Sequence, residues 1–197
     1  MAHHRPNIVA VTGGLWSPSK TTSLTTTIAD AVAEKTSGIV HLVELGPIAQ
    51  EIGTSLTRDA APPALSSALA RVENADILIA ATPVFRGTFS GHFKHFFDLI
   101  AIDSLREKPV VVAASGGGDR HCLVIEYSLR PLFGFFQAFT VPTGVYASES
   151  DFTNGHVVNP IVLARIASAA NEVASLTRTR IYPRQETVQQ SPSTASP

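Results

Sequence analysis

Residues 7–24 read "NIVAVTGGLWSPSKTTSL", an apolar β-rich run, a loop of Gly, Ser and Pro, then a stretch with helical spacing. A strand that passes into a helix through a short polar loop is the opening unit of a layered α/β sheet. The free N–H groups at such a helix start favour an anion, so 13–24 reads as a phosphate-binding segment.

The same unit recurs along the chain. Strands are expected at 7–12, 39–45, 76–83, 109–115 and 140–147, with helices at 21–35, 63–73, 90–101, 121–137 and 160–177. Strands that are apolar on both faces and alternate with helices predict a parallel sheet covered on both sides. Five of them suit a flavodoxin-like, doubly wound α/β fold with strand order 2-1-3-4-5. Residues 1–181 are expected to form one domain, and the polar stretch 182–197, "YPRQETVQQSPSTASP", a disordered tail or an arm laid on a partner subunit.

Composition narrows the function. A net charge of -1 among 197 residues gives no pull toward nucleic acid or an anionic membrane, and neither is expected as a partner. The single cysteine, Cys122, offers no internal disulfide and no metal cluster, which suits a reducing, cytoplasmic setting. The N-terminus reads as a first strand, without the long apolar segment of a signal or a membrane span.

In such a sheet ligands sit beyond the carboxyl ends of the strands, where the strand order reverses. That rule selects the loops "TGGLWSPSKTTS" (12–23), "ATPVFRGTFSG" (81–91) and "SGGGDRH" (115–121). The first nearly matches the nucleotide triphosphatase phosphate loop, but Ser19 replaces its second glycine and Pro18 removes an amide donor. No magnesium-binding carboxylate ends a later strand, so that chemistry is set aside. Instead Ser17, Ser19, Thr21, Thr22 and Ser23 crowd the helix start and suit one phosphate monoester such as that of FMN. Lys20 adds a charge or is simply solvated, and Ser19 or Thr21 also fits an ordinary N-cap.

The second loop brings the backbone of Pro83 to Thr88 and the apolar Val84 and Phe85 to a flat heterocycle. The third offers three glycines whose amides suit developing negative charge. Two loops around a ring and one on a phosphate describe an FMN cradle.

"TPVFRGTFSGHFKHFFDLI" (82–100) and "SGGGDRHCLVIEYSLRPLFGFFQAFTVPTGVYASESDF" (115–152) strongly resemble the NAD(P)H-dependent FMN reductases of two-component alkanesulfonate monooxygenase systems, most closely the methanesulfonate-type branch. The resemblance runs over about 7–175. It implies an enzyme that passes hydride from NADH or NADPH to FMN and releases reduced FMN to a separate flavin-dependent sulfonate or sulfone monooxygenase. Carried over by position, it assigns phosphate contacts to Ser17, Ser19, Lys20, Thr21 and Thr22. Ring contacts fall on Pro83, Val84, Phe85, Arg86, Gly87, Ser115, Gly116 and Gly117. The helix 121–137 is similar to one that lies between subunits in this family and carries a π-bulge near the flavin. Tyr127 stands at that bulge position, where the methanesulfonate-type branch often has His.

Hydride transfer asks mainly for stacked rings, so no side-chain acid or base is nominated. His121 touches the flavin or caps its helix, and Arg86 meets a nicotinamide phosphate, the ring edge or only solvent. Cys122 is expected to be a small buried hydrophobe. Lys94, His95 and Asp98 suit a solvated or subunit-contact face, and Phe133, Phe135, Phe136 and Phe139 suit core and a homo-dimer or tetramer interface. A one-electron flavodoxin-type carrier and a quinone or azo reductase with bound FMN are the alternatives. The near-neutral charge counts against the carrier.

Overall fold

The computed structural model describes residues 5–181; the stretch 182–197, expected as a tail, lies outside the described residues. Strands β1 (Asn7–Thr12), β2 (Ile39–Glu44), β3 (Ile77–Phe85), β4 (Thr88–Phe89), β5 (Pro109–Gly116), β6 (Phe139–Thr140) and β7 (Val145–Ser148) build the main sheet. Its order is β2-β1-β3-β5-β6, with β7 also parallel to β5 and β4 antiparallel to β3. The strands stay parallel, and the order in which the chain adds them across the sheet reverses between β1 and β3, as the sequence reading requires.

Alternation within the strands explains the two-sided burial. Val9, Val11, Leu78, Ala80, Val110 and Val112 face one core, and Ile8, Ala10, Ile77, Ile79, Val111 and Ala113 the other. Side chains two apart share a face of a pleated strand, so an unbroken apolar run serves two layers at once. Helices α1 (Lys20–Thr36) and α6 (Pro160–Ile181) cover the second core. Helices α2 (Ala49–Thr54), α3 (Pro63–Glu73), α4 (Gly91–Asp98) and α5 (Arg130–Phe135) cover the first.

The structure departs from the sequence expectation in several places. The fifth strand, expected at 140–147, is divided into β6 and β7. Pro142 brings no amide to a ladder, and side chains take over the backbone groups between the pieces. Arg130 donates to the carbonyls of Val141 and Pro142 (2.8 and 2.6 Å), and Arg165 to that of Gly144 (2.8 Å). Glu172 accepts from the Thr143 amide at 2.8 Å.

The helix expected at 121–137 is divided as well, into a 3₁₀ turn at Asp119–His121, a π segment at Ile125–Leu129 and α5. Cys122 lies on the exposed turn between the first two, not in the core. The segment α2 and the antiparallel pair β8 (Phe152–Thr153) and β9 (His156–Val157) were not anticipated. The pair had a readable signal, because Asn154 and Gly155 both take positive φ (49° and 81°), as an Asn-Gly hairpin turn demands.

Candidate functional site

The three selected loops meet at the carboxyl edge of β1, β3 and β5. In the first, the Ser19 hydroxyl accepts from the Thr22 amide at 3.1 Å and caps α1. The amides of Lys20 and Thr21 come before the first intrahelical donor, that of Ser23, and remain donors at a positive helix end. Thr22 shares a 3.1 Å hydrogen bond with Thr12, which also accepts from the Gly14 amide at 3.4 Å. Ser17 is exposed and joined to Pro18 by a cis peptide bond.

Two of the five phosphate candidates are tied to other parts of the carboxyl edge. Thr21 is buried and shares a 2.7 Å hydrogen bond with Ser115, which ties the first loop to the third. Lys20 donates to Glu149 at 2.6 Å, and that charge with its hydrogen bond holds the Glu149 carboxyl below the ordinary range. The seat at the start of α1 is thus lined by neutral donors.

The second loop is a hairpin rather than a plain strand-to-helix turn. β3 runs on to Phe85, and Arg86 and Gly87 at positive φ (51° and 94°) return the chain as β4. Both central residues of a type I′ turn need that conformation, so Gly87 suits its place and Arg86 is carried at the exposed tip. Pro83 and Val84 are half-buried at the rim, and Pro83 lies opposite Ser115 in the ladder. Phe85 meets the exposed Trp16 of the first loop, their ring centres 5.8 Å apart.

In the third loop, Gly116 lies directly beneath the Tyr146 hydroxyl, where a Cβ would collide with it. Tyr146 donates to the Gly118 carbonyl at 2.6 Å, and burial, then the nearby Asp119, raise its pKa. Side chains at Gly117 and Gly118 would meet open space, which leaves that backbone accessible to a flat ligand. His121 is half-buried, its ring against the Arg120 guanidinium at 3.2 Å. Tyr127 projects from the π segment, 78% exposed, and its neighbour Ser128 bonds Thr88 of the hairpin at 3.0 Å.

All fifteen sequence candidates thus lie on the three loops or on the segment that follows the third. The sequence reading missed Tyr146, whose hydroxyl shapes the third loop, and Glu149, which holds Lys20. Away from this edge, His95 bonds the Ser55 carbonyl at 2.7 Å, and Lys94 pairs with Asp98 one turn on.

Fold and loops define a flavodoxin-like flavin protein, with helix-end donors for a phosphate and an open glycine backbone beside an apolar rim for a ring. Residues 6–153 match the family model of NADPH-dependent FMN reductases, and the chain belongs to that family. It is an oxidoreductase whose chemistry uses FMN and NAD(P)H. It is 46% identical over 170 residues to the NADH-dependent FMN reductase SfnE of Pseudomonas putida, covering 86% of this chain and 91% of that one. It is 45% identical over 169 residues to an FMN reductase (NADPH) of Pseudomonas aeruginosa, covering 86% and 91%. Among solved structures, an oxidoreductase of Corynebacterium diphtheriae superposes with a TM-score of 0.81 at 34% identity, covering 90% of this chain and 98% of that one. Among the described residues, no helix is long and apolar enough to cross a membrane.

Proposed function

We propose that this protein takes FMN as a substrate, reduces it with a nicotinamide dinucleotide and releases it to a separate flavin-dependent sulfonate or sulfone monooxygenase. One observation carries the exchange reading. The only cation in residues 13–23 is Lys20, and Glu149 already holds it. A phosphate seated at α1 then meets hydroxyls and amides without a free charge, and charge-assisted contacts are the stronger ones. A flavin held this way leaves readily.

In this reading Ser17, Ser19 and Thr22 with the amides of Lys20 and Thr21 hold the phosphate. Pro83 to Gly87 hold one edge of the ring. Gly116 and Gly117 present amides to its polar edge, with Ser115 fixing their strand and His121 and Tyr127 at the periphery. Bound FMN supplies a hydride acceptor, and the chain's own task is to hold the two rings face to face and exclude water. The resemblance carried by 82–100 and 115–152 supports a sulfonate or sulfone monooxygenase as the recipient, and a cytoplasmic setting fits that exchange.

We further propose a homo-oligomer built on the face of the π segment and α5. Leu123, Tyr127, Pro131 and Phe135 are all exposed and spaced by four. A regular helix would wind such a stripe by about 40° at each step, and the wider π turn takes part of that back. An apolar stripe of this kind suits burial against a second copy.

The test is steady-state NADH and NADPH oxidation with and without added FMN, with the co-purified flavin measured. Oxidation that needs free FMN and saturates with it supports the supplier reading. Stoichiometric bound FMN and indifference to added FMN would overturn it in favour of a reductase with resident flavin.

A further inference from the structure

The cavity of about 890 Å³ at the first loop is the open side of the phosphate seat, because Ser17, Ser19 and Thr22 line it. One of its walls comes from far along the chain. Asn154, Gly155 and His156, the turn and the first β9 residue of the β8–β9 hairpin, border the same space. They follow the stretch 6–153 that matches the family model, so the pattern shared by the family does not account for them.

The hairpin is anchored at its base. The Asp151 carboxylate accepts from the Ser148 amide at 2.7 Å and from the Asn159 side chain at 2.6 Å, and the Asp151 carbonyl accepts from the Val158 amide at 2.9 Å. Val157 is buried in the second core, which α1 and α6 cover. Neighbouring residues of a strand face opposite ways, so an inward Val157 turns His156 outward to the cavity wall. The imidazole makes no hydrogen bond or ion pair among the described residues.

Charge decides what that imidazole can do. Among the described residues no Lys or Arg lines the cavity, and Lys20 beside it is held by Glu149. Asp30 also lines it, but about three turns, or roughly 16 Å, beyond the Ser19 cap along α1. That carboxylate disfavours an anion at the far end and leaves the capped end as the anionic seat. Glu44 lies opposite Thr12 in the ladder and brings a second carboxylate nearer the seat, and His156 is the lining group that can offset it. An imidazole donates in either protonation state and carries no permanent charge. Resting on the reductase reading above, we infer that His156 is a phosphate ligand of the FMN site and sets the preference for FMN over riboflavin, the same flavin without its phosphate. The seat gains selectivity from it and still releases FMN.

The test uses the full chain. FMN binding is titrated by flavin fluorescence, and kcat/KM is measured for FMN and for riboflavin, whose slope at low concentration is readable even where binding is weak. His156→Ala is expected to raise the FMN Kd by about threefold to tenfold and to lower the FMN-over-riboflavin ratio of kcat/KM by the same factor. His156→Arg fixes the charge and should bring the FMN Kd below that of the native chain. His156 is exposed, so both variants are expected to keep the native thermal melt. An unchanged FMN Kd in His156→Ala, equal losses for the two flavins, or weaker FMN binding in His156→Arg overturns the assignment. Weaker FMN binding in Ser19→Ala without any in His156→Ala defeats His156 alone. Absence of flavin-dependent oxidation of either dinucleotide by the native chain defeats the reductase reading itself.

Discussion

Thr21 and Ser115 share a buried 2.7 Å hydrogen bond that fastens the start of α1 to the end of β5. The two loops that hold opposite ends of the proposed flavin are thereby set relative to each other before any ligand arrives. A hydroxyl buried without its partner costs about 1–3 kcal/mol. Thr21→Val, which keeps the shape and removes the hydroxyl, is expected to lower stability by that amount in denaturant titration. Adding Ser115→Ala removes the orphaned partner and should recover part of the loss. Ser19→Ala is the contrast: loss of the cap costs about 1 kcal/mol, and a flavin titration should show weaker FMN binding.

Glu149 restrains Lys20, the one cation of residues 13–23, beside the proposed phosphate seat. Glu149→Gln is expected to release Lys20 and tighten FMN binding by roughly threefold to tenfold, as a charge-assisted contact replaces a neutral one. Fluorescence titration of FMN measures it. The pH dependence has a definite sign. Lys20 holds the Glu149 carboxyl below its ordinary value of 4.5, so the pair is complete above that value and is lost only as pH falls through the lowered one. FMN affinity should therefore show no Glu149-linked change near neutrality, with any gain confined to acid below 4.5.

Gly116 and Tyr146 are complementary in shape. A methyl group at Gly116 would collide with the Tyr146 hydroxyl, so Gly116→Ala must displace the ring or the loop. FMN affinity is expected to fall by about tenfold, on the scale of one lost hydrogen bond. Tyr146→Phe removes the colliding atom together with its bond to Gly118. The double variant should bind FMN better than Gly116→Ala alone, a non-additive result that a double-mutant cycle reads directly.

The exposed stripe on the π segment and α5 predicts an oligomer that charge disrupts. Phe135 is 65% exposed and Leu123 55%, so neither supports the fold from inside. Phe135→Asp with Leu123→Asp is expected to leave the circular dichroism spectrum unchanged. Light scattering should show a shift toward monomer, and an unaltered molecular mass would defeat the assignment of this face.

Much of this was legible in order along the chain. The apolar run of β1 implied burial on both faces, and the helix expected at 63–73 is α3 residue for residue. These are near-neighbour signals, periodicity and capping chemistry, that need no knowledge of the rest of the molecule. The six residues of α2 bury only Ile52, so they carry no repeating apolar period. The divided fifth strand was hidden because Arg130, Arg165 and Glu172, remote in sequence, satisfy the backbone where the ladder is broken.

The sequence alone determined the class of fold, the three loops and the kind of ligand they suit, because strand period, helix starts and glycine placement are local properties. Only the tertiary structure decided what each polar group is free to do. Ser19, Lys20, Thr21 and Thr22 stand consecutively or nearly so, yet one caps a helix, one is held by Glu149, one is buried against Ser115 and one bonds Thr12. The cap is local, but the other three partners come from elements 10 to 129 residues away. A hydrogen bond depends on where its partner is brought in space, and spacing along the chain does not record that position.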